Sequence, residues 1–180
     1  MCLSRRLGPF RKPGARAMAK IILDRLGERF TGGEILEIGS QHGNEWARVA
    51  PAAWQQVAEF LRDDPALQMT MFTDLTCVDR LPREPRFDVV LHVYSIEKKH
   101  RVRLLAGVPE KDAAIATLVP VWPGANWFER EAFDMYGVRF EGHPDLRRIL
   151  MYPEFQGYPL RKDYPKEKRQ PLLRRLPGSV

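Results

Sequence analysis

Two carboxylates three residues apart, Glu131 and Asp134, are followed within a dozen positions by His143 and Asp145. On a helix that spacing puts the first pair on one face, and oxygen donors joined by an imidazole suit a divalent cation. The chemistry implied would be metal-assisted hydrolysis centred on Glu131, Asp134 and His143. The spacing matches no hydrolase or metalloprotease pattern, however, and arginines are interleaved, with Arg130 four residues before Asp134. Ion pairing, Arg130 to Asp134 or across a subunit boundary, is the simpler chemistry. A stand-alone carboxylate-metal hydrolase remains the alternative.

Other reactive residue types are scattered. His42, His92 and His100 fall singly in a hairpin, a strand and a turn, where packing or surface roles are expected. Gly32 and Gly33 open no phosphate-cradling loop, and neither GxGxxG nor GxxxxGK occurs. Cys2 and Cys77 form neither a disulfide framework nor a thiolate metal site, and no nucleophile has a base at a recognisable spacing. Trp46, Trp54, Trp122 and Trp127 are expected as core anchors.

The elements that must position these residues follow from hydropathy. The 180 residues, 44% hydrophobic, suffice for one domain with extensions. Ala19, Ile22, Leu23, Leu26 and Phe30 recur at helical spacing and stop at Thr31. Strands at 34–39 and 46–49 read as a hairpin through 41–44. Pro51 starts a second helix striped by Trp54, Val57 and Leu61 and ended by Asp63, Asp64 and Pro65. Three strands follow at 69–78, 87–96 and 101–108. The middle one is apolar on both faces and is therefore expected in the sheet interior.

One or two helical turns are expected at 112–118. Asn126 and Glu129 then read as a capping box for a helix that runs to Met135 or Tyr136 and stops at Gly137. The expected fold is α+β: helices on a mixed or antiparallel sheet in the order helix, two strands, helix, three strands, with a further helix and a long extended arm after it.

Beyond residue 141, prolines at 153, 159, 165, 171 and 177 forbid a continuous helix. Between them lie Leu150, Met151, Tyr152, Phe155, Tyr158, Leu160 and Tyr164, a load that a free tail would expose to water. The division expected is a basic arm at 1–16, a domain at 17–141, and an extended arm at 142–180 lying on partner proteins, with Arg147, Arg148, Arg161 and Lys162 bonding along it.

Charge bounds the partners. The net +6 is uneven: residues 1–29 carry eight Lys or Arg against two acids, 145–180 nine against four, and the middle 12 against 17. A nucleic-acid groove would place cations on the folded core, so nucleic acid is not an expected partner. No run approaches the roughly 20 apolar residues of a membrane span, so membrane contact is expected only through partners. The arginine-rich, acid-free N-terminus resembles a mitochondrial transit peptide as much as a basic bacterial arm.

The run WPGANWFEREAFDMYGVRFEGHPDLRRILMYPEFQGYPLRKDYP closely resembles the signature of the C subunit, the 30 kDa subunit, of the proton-pumping NADH:quinone oxidoreductase, respiratory complex I. DLTCVD and RFDVVLHVYSIEKKHRVRLLAGVP upstream resemble the same family's strand region. The resemblance implies a scaffolding subunit that binds no cofactor of its own, flavin and iron–sulfur clusters residing in partners. It implies packing against the D, B and I subunits at the cytoplasmic face of a bacterial membrane, or the matrix face of the mitochondrial inner membrane. An alternative that keeps the fold is the equivalent subunit of a related membrane-bound hydrogenase or dehydrogenase. Carried over by position, Glu129, Arg130, Glu131, Asp134, Gly137, His143, Pro144, Asp145, Arg147, Arg148, Arg161, Lys162, Asp163 and Tyr164 are the interface or assembly residues implied, none of them catalytic.

Overall fold

The computed structural model describes residues 15–168 and Gln170. Most of the expected N-terminal arm and the end of the C-terminal one lie outside the described residues. The chain runs α1 (Ala15–Arg29), β1 (Ile35–Gln41), β2 (Asn44–Val49), a 3-10 turn at Pro51–Ala53, α2 (Trp54–Asp63), β3 (Met71–Asp79), β4 (Phe87–Ser95), β5 (His100–Val108), β6 (Ala114–Ala116), α3 (Ala125–Tyr136) and β7 (Arg139–Glu141). The α+β class and the element order expected through β5 are found.

Five strands form one mixed sheet in the order β1-β2-β5-β4-β3. The hairpins β1–β2, β3–β4 and β4–β5 are antiparallel, while β2 and β5 lie parallel. Parallel neighbours need a long crossover, and everything from α2 through β4 intervenes between these two. Strand β4 is interior as its two apolar faces require, though β5 occupies the middle position.

Alternation decides which side chains enter the core. Leu75 and Cys77, then Phe87, Val89, Leu91 and Val93, then Val102, Leu104, Ala106 and Val108 point to one face, against Ile22 and Leu26 of α1 and Trp54, Val57 and Leu61 of α2. His100 leaves the turn expected for it. It opens β5, buried, and its Nε2 hydrogen-bonds the Leu67 carbonyl at 3.0 Å. Trp54 and Trp122 are core anchors, whereas Trp46 is half-buried outside the core and Trp127 is 63% exposed. The correction at Trp127 has a plain cause: the buried stripe of α3 is Ala125, Glu129, Ala132 and Met135, and Trp127 falls off it.

Two local expectations fail. Residues 112–118 form no helical turns. They carry β6, which pairs parallel with β7 in a separate two-stranded sheet. Local propensity cannot foresee pairing to a strand more than 20 residues downstream. The Asn126–Glu129 capping box is also absent: α3 starts after Gly124 without a side-chain cap. Glu129 is turned inward to the β6 segment instead.

Candidate interface built on the third helix

Helix α3 buries three charged residues, Glu129, Arg130 and Asp134. Buried charges persist only when paired or hydrogen-bonded, so their partners define what the helix holds in place.

Glu129 accepts the Thr117 hydroxyl at 2.5 Å and the Leu118 N–H at 2.6 Å. It therefore ties the loop after β6 to α3. Burial outweighs these two donors and pushes its carboxyl up to about 7.

Asp134 holds the beginning of the C-terminal segment. One carboxylate oxygen receives the N–H groups of Ile149, Leu150 and Met151 at 3.1, 2.8 and 2.9 Å, and the other pairs with Arg148 at 2.9 Å. Three successive amides converging on one oxygen make an anion nest, here filled by the protein's own side chain. The Arg130–Asp134 pair is thus overturned. Arg130 stacks on Trp127 at 5.1 Å and donates to the Arg147 carbonyl at 3.2 Å, because Arg148 already occupies the carboxylate.

The helix ends as its sequence dictates. Gly137 has φ 77°, left-handed, and its N–H returns to the Phe133 carbonyl. A side chain there would also have no room. A Cβ would stand 2.5 Å from the Tyr158 ring and 2.8 Å from the Arg161 guanidinium. Arg161 caps the helix by donating to the Tyr136 carbonyl at 2.6 Å and lies against Tyr158 and Phe87, with ring centroids at 4.5 and 5.0 Å.

A second anchorage follows. Arg86 is buried and pairs with Asp79 at 2.8 Å, Glu110 at 2.5 Å and Asp163 at 2.6 Å. Burial alone would raise Asp79, but Arg86 and the Lys162 and Leu81 N–H groups hold it well below the usual carboxylate range. Asp163 is lowered by the same guanidinium. Lys162 also donates through Nζ to the Leu81 carbonyl. Tyr164 stacks on Phe155 at 6.0 Å, and its hydroxyl accepts the Gln170 amide at 2.8 Å.

These contacts show what the segment expected as an extended arm lying on partner proteins does within its own chain. Residues 142–165 carry no regular helix or strand, but they are stitched to α3, β3 and the loop after β3 of their own chain. Asp134, Gly137, Arg148, Arg161, Lys162 and Asp163, expected as interface residues, all take part in these contacts within the chain, Lys162 and Asp163 while still exposed. Glu131, Pro144, Asp145 and Arg147 are exposed, the last two paired with each other at 2.9 Å. Trp127, Leu150 and Leu160 are exposed apolar side chains of α3 and this segment.

The metal alternative is overturned by the same geometry. Glu131 points to solvent while Asp134 is enclosed with its lone pairs taken. His143 meets the Asn126 carbonyl through Nε2 at 3.2 Å and accepts the Asp145 N–H at Nδ1. Accepting at Nδ1 fixes the proton on Nε2. Among the described residues no group of three or more His, Cys, Asp or Glu is placed to hold a metal ion. The buried Cys77 thiol is pushed up to about 12 by desolvation, which removes it as a nucleophile.

Sequence reasoning missed Thr117, Arg86 and Asp79 as members of these networks. An arginine and an aspartate bracketing the β3–β4 connection were the available signal, but their shared partner, Asp163, lies far along the chain.

Residues 47–170 match the family model described as respiratory-chain NADH dehydrogenase, 30 kDa subunit. The NADH-quinone oxidoreductase C subunit of Geobacter sulfurreducens is 46% identical over 155 residues, 84% of this chain and 94% of that protein. The second C-type subunit of the same enzyme in Rhizobium meliloti is 44% identical over 145 residues, covering 78% and 79%. Among solved structures, a trypsin-resistant fragment of Nqo5 superposes with TM-score 0.59 at 29% identity, over 69% of this chain and 99% of the fragment. A chain of an archaeal membrane-bound sulfane sulfur reductase shares the fold at TM-score 0.68 and 23% identity, over 82% and 86%. The buried charges of α3 and the segment they hold fall within the matched region, and the chain belongs to the respiratory-chain NADH dehydrogenase 30 kDa subunit family.

Proposed function

We propose that this protein is the 30 kDa subunit of a proton-translocating NADH:quinone oxidoreductase, a scaffolding member of its hydrophilic arm. It supports electron transfer from NADH to quinone without carrying electrons itself, flavin and iron–sulfur clusters being held by other subunits. Its neighbours in this reading are the D, B and I subunits, and it meets the cytoplasmic face of the membrane through them. No described helix is long and apolar enough to cross a membrane, in keeping with attachment through partners.

One observation carries the reading. Asp134 is fully engaged in fastening residues 148–151, and the surface so fixed displays Trp127 and Leu150, 63% and 57% exposed. Large apolar side chains held outward on elements that also expose Glu131, Asp145 and Arg147 have the make-up of an interface anchor rather than of a catalytic cleft.

The test substitutes these outward side chains. Trp127→Ser with Leu150→Ser should change the stability of the free chain by no more than about 0.5 kcal/mol each, as expected of surface positions. Association with D and B should weaken by at least about tenfold, the loss typical of an interface hot spot. Recovery of the doubly substituted chain in the complex at normal yield would overturn the proposal.

A further inference from the structure

Among the described residues, the helices pack on one face of the five-stranded sheet and none covers the other. The core gathers side chains from the helix-covered face only. Val90 and Leu105 are buried, yet they stand outside that core because alternation turns them the opposite way. Around them the register assembles two cross-strand rows. Trp46, Arg103, His92 and Asp74 align across β2, β5, β4 and β3, while Glu37, Arg48, Leu105, Val90 and Thr76 align across all five strands. At the β1 edge, Gly39 admits the Trp46 indole, since a Cβ there would lie 2.7 Å from the ring. The indole therefore lies flat on the sheet.

The face is cationic. Arg48, Arg80 and Arg83 all converge on the enclosed Asp88, and Arg48 also has Glu37 at 3.9 Å, so two carboxylates face three guanidinium groups. Arg101 and Arg103 have no carboxylate partner among the described residues, and Arg103 Nε is enclosed without any hydrogen-bond acceptor. His92 adds no compensating chemistry, since burial and the neighbouring Arg103 lower its pKa and keep it neutral. Asp74 is two strands from Arg103, on the order of 10 Å. An enclosed, unpartnered guanidinium N–H costs free energy that a bound acceptor would recover.

We propose that this helix-free face is a second docking surface, fitted to an acidic segment of another subunit that places an apolar side chain over Trp46. The inference rests on the scaffold reading above but concerns a surface on the opposite side of the sheet from the core. Charge selects the occupant. Residues 1–14 bring Arg5, Arg6, Arg11 and Lys12 without an acid, and residues 171–180 bring Arg174 and Arg175 without one, so the ends of this chain would be repelled. A second copy facing it would oppose its arginines with the same arginines.

The test uses the purified complex and the free full-length chain side by side. Hydroxyl-radical oxidation of Trp46, and of Tyr94, which lies opposite Arg101 across β4 and β5, should slow severalfold in the complex. In a complex built with Arg101→Lys, zero-length carbodiimide coupling should join position 101 to an aspartate or glutamate of another subunit. The charge reversal Arg103→Glu, checked for native circular dichroism, should weaken incorporation by at least about tenfold, with rescue by Arg103→Lys, as for a buried charge at an interface. Undiminished oxidation of Trp46 in an intact complex would overturn this inference while leaving the scaffold reading in place. Coupling to a second copy of this chain would overturn it as well. Absence of the chain from the complex would remove both.

Discussion

Replacing Asp134 by alanine should detach residues 148–151 while leaving the sheet domain folded. The carboxylate is fully buried and accepts three backbone N–H groups between 2.8 and 3.1 Å plus the Arg148 guanidinium at 2.9 Å. Hydrogen bonds to a charged group are worth about 1.5–3 kcal/mol apiece, and breaking a buried pair from one side costs about 3–5 kcal/mol. The three amides belong to residues at the surface edge and can be rewetted, and Arg148 keeps its rings of Phe155 and Tyr158 and the Gly157 carbonyl. The net loss is therefore placed at the low end, about 3 kcal/mol, within the roughly 5–15 kcal/mol that holds a domain of this size. Amide hydrogen exchange reads it directly: Ile149, Leu150 and Met151 should exchange roughly a hundredfold faster, about 1.4 kcal/mol being tenfold, while β4 and β5 amides stay protected. Glu131→Ala, one turn earlier and exposed, is the control and should leave all of these rates unchanged. If the three amides in Asp134→Ala exchange as in the parent chain, the carboxylate does not hold the segment.

Two further outcomes are expected. Glu129 has its pKa raised from 4.5 to about 7 in the folded chain, so the folded state binds the extra proton in that interval. Its contribution to stability is full below about 4.5 and is lost as pH rises to about 7, and Glu129→Gln should flatten that decline in urea titrations stepped through the interval. An unaltered slope would refute the assignment to Glu129. Gly137→Ala combines a left-handed backbone with a clash against Tyr158, costing about 2–4 kcal/mol by thermal or urea denaturation, and a loss under about 0.5 kcal/mol would show that the segment yields without cost.

Local patterns carried much of the fold. Alternation over β3, β4 and β5, the stripe of Trp54, Val57 and Leu61, and the glycine at 137 each encode their conformation within a few residues, and each forms where the pattern places it. The WFEREAFDMYG run likewise marks the family, because several of its residues have separate tasks within one short helix. What failed was of a different kind. The strand Ala114–Ala116 exists through its pairing with Arg139–Glu141, and Glu129 turns inward because Thr117 and Leu118 offer donors there.

The sequence by itself determined the elements through β5 and their order, the helix α3, the family and the density of charge around α3. Only the tertiary structure decided which charge meets which partner. Arg130 and Asp134 stand at pairing distance along a helix, yet the incoming segment delivers Arg148 and three amides to the same carboxylate, and the richer set wins. A periodic pattern is fixed by neighbours in the chain, whereas the satisfaction of a buried charge is fixed by whatever the fold brings beside it. For the same reason the outward face of the sheet, with Arg103 enclosed and unpartnered, could be recognised only once the strands were in register.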